Sequence, residues 1–248
     1  MTRRNFLLYS SALTTTALNA NLLYNNDDIF LSKTEYASLL SLDTKLTQVK
    51  RHVGFGNFNL ISYIDTLKIA KMNSKIGAFS SDELALIDRF FYENPAKYGF
   101  YGERTCYNIN NKVSKKDVVK IPNTGHYIFK GTSTEDYKRI IGDIGETLYL
   151  TSGVRNVMKQ LSLYTSKLKK VKGNITQTSR DIAPPSHSFH TIGDFDVGKM
   201  GLGAKNFTSA FAKTQEFKEM RKLDYIEIRY SANNSDGVRF EPWHVKII

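Results

Sequence analysis

Ser188-Phe189-His190-Thr191-Ile192-Gly193-Asp194-Phe195-Asp196-Val197-Gly198 and, further on, Glu241-Pro242-Trp243-His244 are the stretches on which the reading of this chain turns. Between them they hold two of the five histidines and three carboxylates. Zinc takes imidazole nitrogen and carboxylate oxygen at about 2.0–2.2 Å, and a catalytic site leaves one of four positions to water. His190, Asp196 and His244 supply three ligands, and Glu241 remains as a base. Asp194 and Asp196 alternate, so on a strand they face opposite ways and only one shares a metal with His190. Asp196 is preferred because Phe195 and Val197 flank it as in a buried strand; Asp194 is the alternative. His187 is a rival imidazole and His126 a weaker one. Pro242 and the sequence around it argue for strand rather than helix, and on a straight strand Glu241 and His244 would face apart. Both reach one metal only if the chain bends at Pro242.

Working outward, the second half alternates short strands and helices. His126-Tyr127-Ile128-Phe129 reads as a strand, and Ser133-Thr134-Glu135-Asp136 as the cap of a helix with Tyr137, Ile140, Ile141 and Ile144 on its apolar face. Leu148-Tyr149-Leu150 is a strand ending at Ser152-Gly153-Val154-Arg155. A helix follows with Val157, Leu161, Tyr164 and Leu168 at helical spacing. Tyr225 to Tyr230 and Val238-Arg239-Phe240 read as strands around the turn-rich Asn233 to Gly237. Arg155, just past a glycine at a strand end, can present a rigid guanidinium fork to a carboxylate or a carbonyl gaining negative charge.

The first half reads as helical. Ser32-Lys33-Thr34-Glu35 and Ser80-Ser81-Asp82-Glu83 are capping boxes, the first followed by Tyr36, Leu39, Leu40, Leu46 and Val49 at helical spacing. Between them a helix is predicted from about Phe58 to Ser74, and the third helix stops before Asn94-Pro95. Gly54-Phe55-Gly56 lacks the strand and third glycine of a dinucleotide fingerprint and reads as a loop. His52 stands alone and reads as a surface or packing residue. The polar, lysine-rich stretch from Lys112 to Lys120, with the turn at Pro122-Asn123-Thr124-Gly125, marks a domain junction.

With 41% hydrophobic and 24% charged residues, the composition is globular. No run reaches the roughly 18 apolar residues of a membrane span. The net charge of +11 is spread along the chain without a basic helix or an aromatic–basic RNA signature, which argues against nucleic acid as a partner. The one cysteine, Cys106, leaves the fold without an internal disulfide. Arg3-Arg4, a diluted apolar run from Leu8 to Leu18 and the small Ala20 have the anatomy of an export signal of the twin-arginine kind.

The ordered motifs resemble the zinc D-alanyl-D-alanine carboxypeptidases of the vancomycin-resistance peptidase type, over roughly residues 125 to 248. Ser188-x-His190-x-x-Gly193 is similar to that family's Ser-x-His-x-x-Gly core, and Asp196-Val197-Gly198 to its Asp segment. Glu241-Pro242-Trp243-His244 is similar to its Glu-x-x-His segment, and Ser152-Gly153-Val154-Arg155 to its Ser-Gly-x-Arg segment. The interval from His190 to Asp196 is one position shorter than the family's usual one, which keeps Asp194 in play as the carboxylate ligand. The resemblance implies an α+β fold with a small antiparallel sheet and flanking helices carrying the zinc site, preceded by an α-helical N-terminal region. It implies zinc on His190, Asp196 and His244, Glu241 as base, Arg155 as stabiliser of the substrate carbonyl, and Arg155 and Ser188 as substrate-binding residues. The expected organisation is an export signal over 1–20, a helical region over 21–110 and a D,D-peptidase domain over 111–248. The expected substrate is a peptidoglycan stem peptide in the periplasmic or cell-wall space. The same zinc chemistry would serve a cross-link endopeptidase, and a wall-binding module without turnover would not need Glu241.

Overall fold

The computed structural model describes residues 27–247, so the expected export signal lies outside the described residues. Ser32 caps α1 (Lys33–Val53) in the predicted capping box, its hydroxyl accepting from the Glu35 amide while the Glu35 carboxylate accepts from the Ser32 amide. The helix predicted from Phe58 to Ser74 is instead two. Gly54, at φ 84°, turns the chain into one helical turn, α2 (Phe55–Phe58), where a loop was expected. Ser62 then starts α3 (Tyr63–Met72) by accepting from the Asp65 amide. A hydroxyl that caps a new helix cannot also sit inside an old one. The second capping box opens α4 (Ser81–Tyr92) as predicted, with the buried Glu83 also held by Lys45 at 2.7 Å.

The lysine-rich junction contains a strand, β1 (Val118–Lys120), paired antiparallel with β2 (Tyr127–Phe129). In α5 (Thr132–Ile144) the predicted caps are used elsewhere: the helix starts at Gly131, Ser133 Oγ donates to the Gly193 carbonyl at 2.9 Å, and Thr134 Oγ1 to the Phe129 carbonyl at 2.6 Å. β3 (Leu148–Ser152), α6 (Val157–Lys170), α7 (Ile175–Asp181), β4 (Phe195–Lys199), α8 (Gln215–Met220), β5 (Glu227–Ile228) and β6 (His244–Lys246) complete the order. The predicted strand at 225–230 shrinks to two residues and that at 238–240 is absent. There the Arg239 amide donates to the Arg180 carbonyl at the end of α7, so the backbone is drawn out of the sheet.

The second sheet is antiparallel in the order β3-β4-β6-β5. The architecture is therefore the expected α+β one. One core joins α1, α3, α4, α6 and α7 around Leu42, Leu46, Phe91, Leu161 and Tyr164. A second lies under the sheet, around Ile140, Leu150, Phe195, Val197, Phe211 and Val245. α6 thus ties the helical first half to the strand that delivers Arg155. Among the described residues no helix is long and apolar enough to cross a membrane.

Candidate active site

Sheet register builds the site. On the central strand β4, Asp196 is paired with Ser152 of β3 on one side and His244 of β6 on the other. The bend required at Pro242 is present: the His244 amide donates to the Glu241 carbonyl at 3.1 Å, closing a turn with proline at its second position. The turn leaves His244 Nδ1 3.5 Å from Glu241 Oε2. Among the described residues, His190, Asp196 and His244 form a buried group whose candidate ligand atoms lie within 4.8 Å of one another.

Each imidazole is fixed from behind. His190 Nδ1 lies 2.8 Å from the Gly153 carbonyl, which only accepts, so the proton sits on Nδ1 and Nε2 is left as a lone pair. That Nε2 is 3.2 Å from Asp196 Oδ1, yet neither atom has a hydrogen-bond partner among the described residues, because both are acceptors. His244 is held in the opposite sense. Its Nε2 is 3.0 Å from Asp194 Oδ2, and its Nδ1 is 3.5 Å from Asp196 Oδ1. Asp194 is anchored by Arg229, at 2.7 and 3.0 Å, and by the Ile247 amide at 3.0 Å. The Arg229 guanidinium lies 3.7 Å from the centre of the Phe189 ring. Asp194, the alternative ligand, therefore stands behind His244 while Asp196 stands between the two imidazoles.

Electrostatics follows from burial. Burial, helped by Arg155, pushes His190 down to about 4. It also works against charge on His244, but Asp194 and Glu241 outweigh it and hold that imidazole up at about 9. Burial acts to raise Asp196, and the surrounding His190 and Arg155 overcome it and keep the carboxyl well below the usual carboxylate range. Glu241 goes the other way: burial raises it, with only partial relief from His244.

Arg155 follows directly from β3. Its guanidinium pairs with Asp196, and its Nε donates to Ser152 Oγ at 2.8 Å. Gly153 is required by space, since a Cβ there would lie 2.0 Å from the Tyr127 carbonyl oxygen. Gly153→Ala is expected to destabilise the fold by about 1–3 kcal/mol, the usual cost of overpacking, and to disturb His190 through the shifted carbonyl. Chemical denaturation measures the first effect and metal titration the second.

A cavity of about 270 Å³ opens over this cluster. Ser188, Arg155, Glu241 and His126 line it, together with residues that sequence reasoning missed: Lys159, Gln160 and Tyr230. Lys159 and Gln160 lie on α6, which is buried almost all round, and a lysine and a glutamine on such a helix are a signal only once that burial is known. The Tyr230 hydroxyl has no hydrogen-bond partner among the described residues, and its ring meets His244 edge-on with centroids 5.0 Å apart. His187 lies elsewhere, with Nδ1 3.0 Å from Ser186 Oγ and its ring edge-on to Phe100. His126 lines the cavity but is outside the converging group.

Fold and geometry define an α+β protein with a buried His-Asp-His cluster beside a glutamate. Residues 134–248 match the family described as VanY: D-alanyl-D-alanine carboxypeptidase. The resemblance carried by the four motifs is borne out over that region, which begins slightly later than the motifs implied. Two solved structures are similar at low identity. One is of the LdcB LD-carboxypeptidase, described as revealing the molecular basis of peptidoglycan recognition, at 21% identity, 55% of this chain, 70% of that chain and a TM-score of 0.46. The other is VanYB in complex with D-alanine-D-alanine, at 20% identity, 58% of this chain, 84% of that chain and a TM-score of 0.40. No curated protein matches the chain.

Proposed function

We propose that this protein is an exported zinc-dependent peptidase acting on peptidoglycan stem peptides, with removal of a terminal D-alanine as its reaction. The observation that carries the zinc assignment is the spacing of the donor atoms. A tetrahedral metal with bonds of about 2.0–2.2 Å needs ligands about 3.3–3.6 Å apart, and Asp196 Oδ1 lies 3.2 Å from His190 Nε2 and 3.5 Å from His244 Nδ1. Among the described residues, two of these three buried atoms, His190 Nε2 and Asp196 Oδ1, lack a hydrogen-bond partner, a costly state that a cation relieves. The family match over residues 134–248 supports the substrate class.

The chemistry that zinc supplies at such a site is Lewis-acid polarisation of a carbonyl and activation of water near neutral pH. The chain's own residues do the rest. Glu241, raised by burial, accepts the proton of the attacking water and returns it to the leaving amine. Arg155 has Nε on Ser152 and one terminal nitrogen on Asp196, which leaves donors for the substrate carbonyl as its oxygen gains charge. Ser188, buried in the cavity wall, contacts the substrate. The region 111–248 is the peptidase region, the segment 21–110 a helical buttress, and residues 1–20 the export signal.

Digestion of purified muropeptides followed by mass analysis tests this reading. Loss of a single alanine is the expected result, whereas halving of cross-linked dimers would assign an endopeptidase. Unchanged masses with protein holding about one zinc per chain would leave a binding module.

A further inference from the structure

The metal cluster sits in a cavity whose wall also carries an unbalanced charge from α6. Lys159 of α6 lines the cavity and is 8% exposed. Among the described residues it has no hydrogen bond and no carboxylate partner; its Nζ lies 5.6 Å from the centre of the Phe55 ring. Lys50 of α1 reaches the same ring, at 5.4 Å, and likewise has no carboxylate partner among the described residues. Burial, helped by the like charges of Arg155 and Lys50, brings the Lys159 ammonium down to about 8. Arg155 does not share this condition, because Asp196 neutralises it.

An unpaired ammonium in a buried wall is expensive, and lysine is almost never fully buried without a partner. A cation–π contact with a ring that is itself 66% exposed offsets only a small part of that cost. The charge is rational if a ligand brings the counter-ion.

We propose that Lys159 forms a carboxylate-binding subsite that takes an anionic group of the peptide while the scissile bond lies over the His190–Asp196–His244 cluster. This rests on the reading of the cavity as a peptide-hydrolysing site. The carboxylate is either the terminal one or one on a side chain of the same peptide.

The test is calorimetric binding to zinc-loaded Glu241→Gln protein, with and without Lys159→Met. The probes are D-alanyl-D-alanine-ended peptides with the terminal carboxylate free or amidated, and each with an upstream acidic side chain or its carboxamide. Lys159→Met is expected to weaken binding of the peptide bearing the relevant carboxylate at least tenfold. It leaves the matching amide unchanged, and which amide is insensitive identifies the carboxylate. Lys159→Arg restores most of the affinity. In the otherwise unaltered enzyme Lys159→Met raises KM more than it lowers kcat, since a contact made equally in ground and transition states acts on binding. Its thermal midpoint stays level or rises, because an uncompensated buried charge has been removed.

Equal affinity of both proteins for all four peptides, or a uniform loss for acids and amides alike, overturns the subsite. The first outcome with hydrolysis intact in the parent enzyme leaves the peptidase reading standing. Lys159-dependent carboxylate binding in a protein that hydrolyses none of the peptides preserves the subsite and overturns the peptidase reading.

Discussion

Glu241→Gln is expected to lower the hydrolysis of D-alanyl-D-alanine-ended peptides by about 10²–10⁴-fold while zinc content stays unchanged, the range that general acid–base catalysis contributes. The substitution keeps the shape of the side chain and removes its capacity to take a proton. Glu241 sits at the closing turn of the site, its amide bonded to the Tyr230 carbonyl at 3.0 Å and its carbonyl to the His244 amide. These are backbone contacts, and glutamine preserves them. Because the group is 9% exposed and burial raises it, it is a stronger base than a freely solvated glutamate. Activity therefore falls on the acid side as Glu241 is protonated, and that limb sits above the ordinary glutamate range. In the Gln variant the residual rate loses the limb. Parallel rate–pH profiles with zinc analysis of the same samples check this, and a Gln variant of undiminished activity would falsify the base assignment.

Much of this was legible before any coordinates, and unevenly so. Both N-terminal capping boxes formed as read, because Ser-x-x-Glu satisfies free amides with atoms no more than three residues away. The cap read at Ser133 failed for the opposite reason. Its hydroxyl was claimed by the Gly193 carbonyl, sixty positions away, and no local pattern announces such a partner. The strand at 238–240 failed likewise, because Arg239 found its backbone partner on Arg180. The motif residues His190, Asp196, Glu241 and His244 could be picked out because metal chemistry restricts the residue types. That His190 would be braced by Gly153 and His244 by Asp194 could not, since both contacts depend on strand register. Lys159 was invisible as a site residue: its sequence neighbourhood is that of any amphipathic helix, and only packing on both sides buries it.

The shortened interval between His190 and Asp196 makes the choice of carboxylate the sharpest remaining test. Asp196→Ala is expected to abolish zinc binding and, in metal-free protein, to cost about 3–5 kcal/mol, the penalty for breaking a buried pair from one side. Arg155, whose side chain is 13% exposed, would lose its carboxylate, and the two imidazoles would lose the group between them. Asp194→Asn should act differently. An amide oxygen still accepts from His244 Nε2, so the imidazole keeps its place while the charge that supports it is lost. Zinc affinity then falls by about 10–100-fold, as for other groups that brace a metal ligand from behind. The charge on Asp194, held down to about 2 chiefly by His244 and Arg229 against burial, also sustains the high value of His244. With the sign followed through, a raised imidazole must release its proton to take a metal, so zinc affinity climbs with pH up to about 9. In Asp194→Asn the climb ends at lower pH. Competition with a chromogenic chelator across pH, together with denaturation in excess chelator, separates the two carboxylates. Should Asp194→Asn abolish binding while Asp196→Ala retains it, the ligand is Asp194 and the sheet register has been misread.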